Sequence, residues 1–284
     1  MEFTNYILLT ILILLILILI LFLKENNIKL SRDVKKKKII GVIARYNEDL
    51  KWLNEYPFNQ ITYIVYNKGI NDKFNKKNVI KIINLKNVGR CDHTYLYHVV
   101  NNYDNLDDIT IFLPGSVDMI LKKHIAKELI DKIIKYNIGI MITQPFIKLF
   151  EKTLYDFEVN NYSASYGKNK DLNPEKKIQK SKIRPFGKWY EDKFNNFDIK
   201  YTIQYGIFSI DKKDILQFSK EYYNKFLFDV SESSNPEAGH YIEKSWVSIF
   251  NPKYTQKITS NFIQFLCIFF DFFYLHTIKN NFII

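Results

Sequence analysis

The sequence alternates short apolar runs with stretches of helical periodicity, and this alternation limits the folds that are open to the chain. Each apolar run is short enough for a buried strand and ends at a turn signal. Such strands are predicted at residues 38–45, 61–66, 79–85, 109–113 and 138–143. Helical periodicity separates them and recurs at residues 212–226 and 236–250. Strands that alternate with helices favour an α/β domain with a mainly parallel sheet and flanking helices.

An apolar segment near the N-terminus, Ile7–Leu23, has no polar face. Its 17 residues just cross a bilayer core of about 30 Å at about 1.5 Å per residue. No basic residue precedes it, whereas the run Lys35–Lys38 follows it. The sequence therefore predicts an uncleaved single-pass transmembrane helix, with a lipid bilayer as partner and the following domain on the cytosolic side.

The same patterns predict the domain boundaries. The anchor takes residues 1–24, a basic juxtamembrane linker residues 25–38, the α/β domain residues 39–255 and an apolar C-terminal segment residues 256–284. Residues 158–183 are polar and lack periodicity, which predicts a surface insertion, either a lid or an added loop. Residues 262–275 are interpreted as a packed or membrane-surface helix, because they are short for a second span.

Composition excludes several classes of protein. The formal net charge is +11, but residues 1–38 carry +4 of it, and the rest is spread without a basic stripe interleaved with aromatic residues. Specific nucleic-acid binding is therefore not expected. Two cysteines, Cys91 and Cys267, exclude a disulfide-rich scaffold and a multi-cysteine zinc module, although one bridge between them stays open. The sequence also lacks the P-loop, zincin and nucleophile-elbow motifs.

Three polar clusters follow predicted strands, at the edge where open α/β sheets bind ligands. They are Arg45–Glu48, Asn87–His93 and Pro114–Asp118. Ordinary turn and capping residues explain any one cluster by itself, but three clusters at one edge favour a site. Asn47 and Glu48 suit a heterocycle edge or a sugar hydroxyl, and Arg90 suits a phosphate. The predicted substrate-binding residues are Arg45, Asn47, Glu48, Arg90 and His93.

Asp118 is the predicted metal ligand. It ends the third cluster, and its carboxylate is the kind of hard oxygen ligand that Mg²⁺ or Mn²⁺ prefers. The alternative is that Asp118 caps the helix that follows it.

A fourth cluster lies on the helix predicted after Pro236. Glu237, His240 and Glu243 are spaced three residues apart, so they project from adjoining turns of one helix face. Glutamate and histidine on one face suit general acid–base catalysis or one side of a metal site. The alternative is a surface helix with hydrogen bonds between neighbouring turns. The predicted catalytic residues are Glu237, His240 and Glu243.

Together these motifs resemble an uncharacterised domain family found in fungi, algae and large DNA viruses. The resemblance covers roughly residues 39–250. It rests on Val42–Leu53, Tyr66–Gly69, Asn87–Arg90, His93–His98, Thr110–Leu113, Asn235–Glu237 and His240–Trp246. The opening Arg45–Glu48 is also similar to the start of GT-A glycosyltransferases, in which the end of the first strand meets the nucleotide.

The similarity to glycosyltransferases implies a GT-A-like, Rossmann-like sheet and transfer of a sugar from a nucleotide-sugar donor. In that interpretation Asn47 and Glu48 hold the nucleotide, Arg90 contacts phosphate, and Asp118 helps a Mg²⁺ or Mn²⁺ ion. The base that deprotonates the acceptor is Glu237, His240 or Glu243. The alternative hypothesis is a non-catalytic, membrane-tethered binding or structural protein, for example of a virion, that keeps the fold.

Overall fold

The computed structural model describes residues 35–159 and 178–259. The strands are β1 Ile39–Arg45, β2 Thr62–Asn67, β3 Val79–Asn84, β4 Ile109–Pro114, β5 Ile140–Pro145, β6 Tyr201–Ile203, β7 Phe208–Asp211 and β8 Gln256–Ile258. The helices are α1 Arg90–Asn101, α2 Ile120–Tyr136, α3 Glu151–Tyr155, α4 Phe186–Phe194, α5 Lys212–Ile215, α6 Lys220–Asp229 and α7 Glu237–Phe250. Short 3₁₀ helices lie at Lys51–Asn54, Phe58–Gln60, Tyr103–Asn105 and Lys148–Phe150.

The larger sheet has five strands in the order β3–β2–β1–β4–β7. The first four run parallel, and β7 pairs antiparallel with β4. From β1 the chain moves outward to β2 and β3, and it then crosses to β4 on the other side of β1. The direction of winding therefore changes between β1 and β4. In open α/β sheets, ligands bind beyond the carboxyl ends of the strands at such a switch point.

The smaller sheet has the order β6–β5–β8. Its central strand β5 pairs antiparallel with β6 and parallel with β8. The hydroxyl of Ser209 in β7 connects the two sheets: it accepts a hydrogen bond from the backbone nitrogen of Ile140 at 2.7 Å and donates to the Ile140 carbonyl at 2.8 Å. Ser209 is completely buried, so this double contact satisfies polar groups that water cannot reach.

The fold class predicted from the sequence, a transmembrane helix followed by one mainly parallel sheet, is wrong. The chain is α/β, but both sheets are mixed, because β7 and β6 run antiparallel to their neighbours. Within the described ranges, none of the helices combines the length and the apolar character that crossing a membrane requires. The predicted anchor at residues 7–23 and the apolar residues 262–275 lie outside the described residues.

Two stretches of the chain each form two elements in the structure. Residues 201–210 form two strands, β6 and β7, because Tyr205 and Gly206 adopt positive φ angles of 60° and 64° between them. The helix predicted at residues 212–226 is α5 and α6. Ser219 begins the second of these by accepting a hydrogen bond from the backbone nitrogen of Tyr222 at 3.3 Å, as N-cap serines do.

An aromatic core joins α1 and α7 to the larger sheet. Tyr95 of α1 packs on Phe112 of β4, with ring centroids 4.8 Å apart, and Phe208 of β7 packs on Trp246 of α7 at 5.2 Å. All four side chains are fully buried. Burial on this scale orients α1 and α7, because each helix must keep its apolar face on the sheet. The first turns of both helices thereby lie near the carboxyl edge of the sheet.

We expect Gly41→Ala to lower the free energy of unfolding by about 1–3 kcal/mol, the usual cost of overpacking a core. Gly41 lies in β1 opposite Tyr63, and a Cβ atom there would sit 2.3 Å from the Tyr63 ring. Gly239→Ala in α7 is the matched control. A Cβ atom at Gly239 would lie 3.6 Å from its nearest neighbour, Oδ2 of Asp92, and alanine favours helix. Urea unfolding measures both, and equal midpoints would contradict the expectation.

Candidate functional site

Glu48 occupies the switch point between β1 and β4. Its Oε2 atom accepts hydrogen bonds from the backbone nitrogens of Tyr46 at 2.7 Å and Asn47 at 3.2 Å. A Cβ atom on Gly115, just after β4, would lie 2.6 Å from this oxygen. The residue after β4 therefore has to be glycine for the carboxylate to take this position. Burial raises the pKa of Glu48, although the backbone donors oppose the rise.

Arg90 and His240 form a contact between α1 and α7. The Arg90 Nη1 atom lies 2.8 Å from Nε2 of His240. Because a guanidinium only donates hydrogen bonds, Nε2 accepts and the imidazole is neutral. Burial, together with the charges of Arg90 and Lys244, lowers the pKa of His240 to about 3. His240 is therefore an uncharged ring that orients the charged guanidinium of Arg90.

Asp92 of α1 and Glu243 of α7 are two carboxyl groups that interact electrostatically. Asp92 is 2% exposed, and the Cys91 thiol lies 3.7 Å from its Oδ2 atom. The other oxygen, Oδ1, has no hydrogen-bond partner within the described residues. Burial and the charge of Glu243 raise the pKa of Asp92 to about 7, while Arg90 opposes the rise. Asp92 thus titrates near neutral pH.

Lys122, in the first turn of α2, lies near the carboxylates of Glu48 and Glu243, which come from different parts of the fold. Its Nζ atom donates to the Ser116 hydroxyl at 2.7 Å. Burial and the charge of Arg90 lower the pKa of Lys122, whereas the charges of Glu243 and Glu48 raise it. The ammonium therefore lies within electrostatic range of carboxylates from the loop after β1 and from α7. We call Glu48, Arg90, Asp92, Lys122, His240 and Glu243 the cleft cluster.

Arg45 and Asn47 form hydrogen bonds that hold together the loops beside this cluster. Arg45 is completely buried and donates to the Glu48 carbonyl at 2.8 Å and to the Asn71 carbonyl at 2.7 Å. Asn47 accepts a hydrogen bond from the Asn71 side chain at 2.9 Å. The structure therefore places both predicted substrate-binding residues in a network that joins the loop after β1 to the loop after β2.

His93 lies in the first turn of α1. It is buried and stacks on Tyr97 with ring centroids 5.8 Å apart. Burial and the nearby charge of Lys68 lower the pKa of His93 to about 3. The His93 ring therefore packs against Tyr97 and lies near Lys68.

Glu237 has structural contacts apart from the cluster. Its carboxylate is completely buried and accepts hydrogen bonds from the backbone nitrogens of Val159 at 2.8 Å and Ser181 at 2.9 Å. Arg184 Nε lies 2.8 Å from the same carboxylate. Glu237 therefore ties the two ends of the predicted insertion, residues 158–183, to the start of α7.

Asp118 is half-buried after β4. Within residues 35–159 and 178–259, no three side chains of His, Cys, Asp or Glu are grouped so that they could hold a metal ion. No such group surrounds Asp118 in this part of the chain, and the metal role stays a prediction.

The sequence interpretation missed Asp92 as a titrating group and Lys122 altogether. Asp92 lies inside α1, because the helix begins at Arg90 and Gly89 precedes it in the left-handed region with φ 59°. Lys122 is one of many lysines, and no local pattern distinguishes it. Its proximity to Glu243 depends on where the tertiary structure places α2 relative to α7.

Asp92→Asn should stabilise the protein at about pH 8 and change little at about pH 4. The folded-state pKa of about 7 exceeds the ordinary value of 3.8, so the native protein loses stability as pH rises between these values. Asparagine keeps the shape and cannot ionise. We expect a gain of at least about 1 kcal/mol at the higher pH. The exposed Asp104→Asn is the control, and identical pH profiles for Asp92→Asn and the native protein would refute the expectation.

One family model matches the chain. It is described as a protein of unknown function (DUF3431), and it matches residues 41–262, which is more than half of the 284 residues. The resemblance to an uncharacterised domain family is thereby confirmed, while the similarity to GT-A glycosyltransferases stays a prediction. None of the curated proteins matches the chain.

Proposed function

We propose a sugar-transfer function for this chain, which belongs to the DUF3431 family of proteins of unknown function: it acts as a glycosyltransferase with a nucleotide-sugar donor. The observation that carries the proposal is the gathering of Arg90, Lys122, Glu48 and Glu243 at the switch point of the larger sheet. Two cations beside carboxylates suit a reaction in which a diphosphate leaves and a hydroxyl loses its proton.

The cations would hold the diphosphate of the donor. Arg90 offers a planar set of N–H donors that matches phosphate oxygens, and Lys122 adds a second positive charge. Arg90 also begins α1, so the positive end of the helix dipole supports an anion there. Glu48 and the loop that contains Asn47 are then available for the ribose or the base of the nucleotide. This assignment supplies positive charge from side chains and routes no step through a metal ion.

Among the three predicted bases, Glu243 fits the proposal best. Glu237 is fully engaged with backbone nitrogens and Arg184, and His240 is neutral with one ring nitrogen held by Arg90. Glu243 is half-buried in α7 and lies near Asp92 and Lys122. It would accept the acceptor's proton, while His240 keeps Arg90 in place.

The proposed step is a substitution at the anomeric carbon of the donor. The acceptor oxygen forms a bond to that carbon as its proton moves to Glu243. The bond from the carbon to the diphosphate oxygen breaks, and its electron pair leaves with the nucleoside diphosphate. Arg90 and Lys122 stabilise the negative charge that develops on this leaving group.

The binding part of the proposal predicts that nucleoside diphosphates bind through Arg90 and Lys122. Arg90→Gln and Lys122→Met should each weaken binding by about tenfold or more, because each removes a charge-assisted hydrogen bond. Isothermal titration calorimetry with uridine and guanosine diphosphates and their hexose conjugates measures the affinities. Lys86→Met, an exposed lysine outside the cluster, is the control. No heat with any of these nucleotides would refute the proposal.

The catalytic part predicts that Glu243→Gln lowers transfer or donor hydrolysis by about 100-fold or more with little change in melting temperature. His240→Ala should also lower the rate, because Arg90 loses its partner. Glu237→Gln is the contrasting variant: it should lower the melting temperature, since it disturbs a buried ion pair, and keep turnover while folded. Nucleotide binding without any turnover would instead favour the non-catalytic binding protein.

A further inference from the structure

Lys68 is a buried lysine that contacts the segment leading into α1. It follows β2 directly, and its side chain is 8% exposed. The Nζ atom donates to the carbonyl oxygen of Val88 at 2.6 Å and also to that of Arg90. One ammonium group thus holds two carbonyls on either side of Gly89.

The backbone between these carbonyls has an uncommon conformation. Gly89 and Arg90 both lie in the left-handed region, with φ angles of 59° and 52°. Glycine adopts it readily, but arginine does so rarely, because its Cβ atom crowds the backbone. The Gly89 nitrogen also donates to the Ser233 carbonyl at 2.7 Å. The turn is therefore held by a backbone contact to Ser233 and by the side chain of Lys68.

Burial disfavours the charged form of Lys68, so the position of this side chain depends on its polar contacts. Burial lowers the pKa of Lys68 to about 7, against the charge of Asp92, which raises it. A buried ammonium is tolerated where it satisfies polar groups that would otherwise lack partners. Val88 is itself buried, so its carbonyl needs a donor from the protein.

We propose that Lys68 is a positioning residue for Arg90: it holds the left-handed turn that directs the Arg90 guanidinium onto His240. The role of Arg90 as an anion ligand comes from the proposed function, and the importance of Lys68 for ligand affinity rests on it. The geometric part, in which Lys68 sets the Arg90–His240 contact, does not need a ligand. The two parts are therefore tested separately.

The geometric test is the titration of the His240 ring, followed by NMR with histidine-labelled protein and assigned with His240→Gln. In the native protein the ring should stay neutral down to about pH 5, since its pKa is about 3. Arg90→Gln should raise the midpoint, because it removes a positive charge. Lys68→Met should raise it in the same direction, and Lys68→Met with Arg90→Gln should raise it no further than Arg90→Gln alone.

The matched control is Lys86→Met, the same substitution at an exposed site in the preceding loop, which should leave the midpoint unchanged. An unchanged His240 titration in Lys68→Met would overturn the proposal. If Lys68→Met does not fold, Lys68→Gln, which keeps N–H donors on a shorter chain, provides the same readout.

The ligand test is a double-mutant cycle on nucleoside diphosphate affinity. Lys68→Met should weaken binding by about tenfold in the native background and have almost no effect when Arg90 is already glutamine. Equal losses in both backgrounds would mean that Lys68 acts on the fold in general, and would overturn the proposal. If the native protein binds no nucleotide, the proposed function fails, and the His240 titration still decides the positioning role.

Discussion

The buried guanidinium of Arg45 is the contact on which the carboxyl edge of the larger sheet depends. Its N–H groups bind the Glu48 carbonyl and both the carbonyl and the side chain of Asn71, and its flat face lies 4.3 Å from the Phe74 ring centre. A charge so deeply buried is stable only where its donors are satisfied. The loops after β1 and β2 therefore take the one arrangement that satisfies Arg45, and Glu48 is placed at the switch point as a result.

Residues of the same type have different surroundings in this fold. Glu237 and Glu243 lie fewer than two turns apart on α7, yet the first binds the ends of an insertion while the second belongs to the cleft cluster. Arg45 braces loops, whereas Arg90 pairs with a neutral imidazole. Residue type alone does not separate these roles. The separation follows from burial and from partners that other elements supply.

The candidate site could be predicted in part, since polar residues after parallel strands must meet at one sheet edge. Glu48 and Arg90 were found in this way, whereas His240 and Glu243 were found from their spacing on one helix face; all four belong to the cleft cluster. Lys122 was not found in this way. It contacts Ser116 in the loop before α2, but Glu243 comes from a helix more than 100 positions away along the chain. The raised pKa of Asp92 was equally hidden, because it arises from burial and from Glu243.

The sequence by itself determined the α/β class, most strands of the larger sheet and the long helices, because these depend on local periodicity and on turn residues. The tertiary structure decided how the strands pair. The antiparallel pairing of Ile109 with Asp211 and the pairing of β5 with β8 join segments about 100 residues apart. It also decided which charged groups are buried. Both depend on contacts between distant segments, and a local pattern carries no record of which segment will cover it or of the dielectric that its charges will meet.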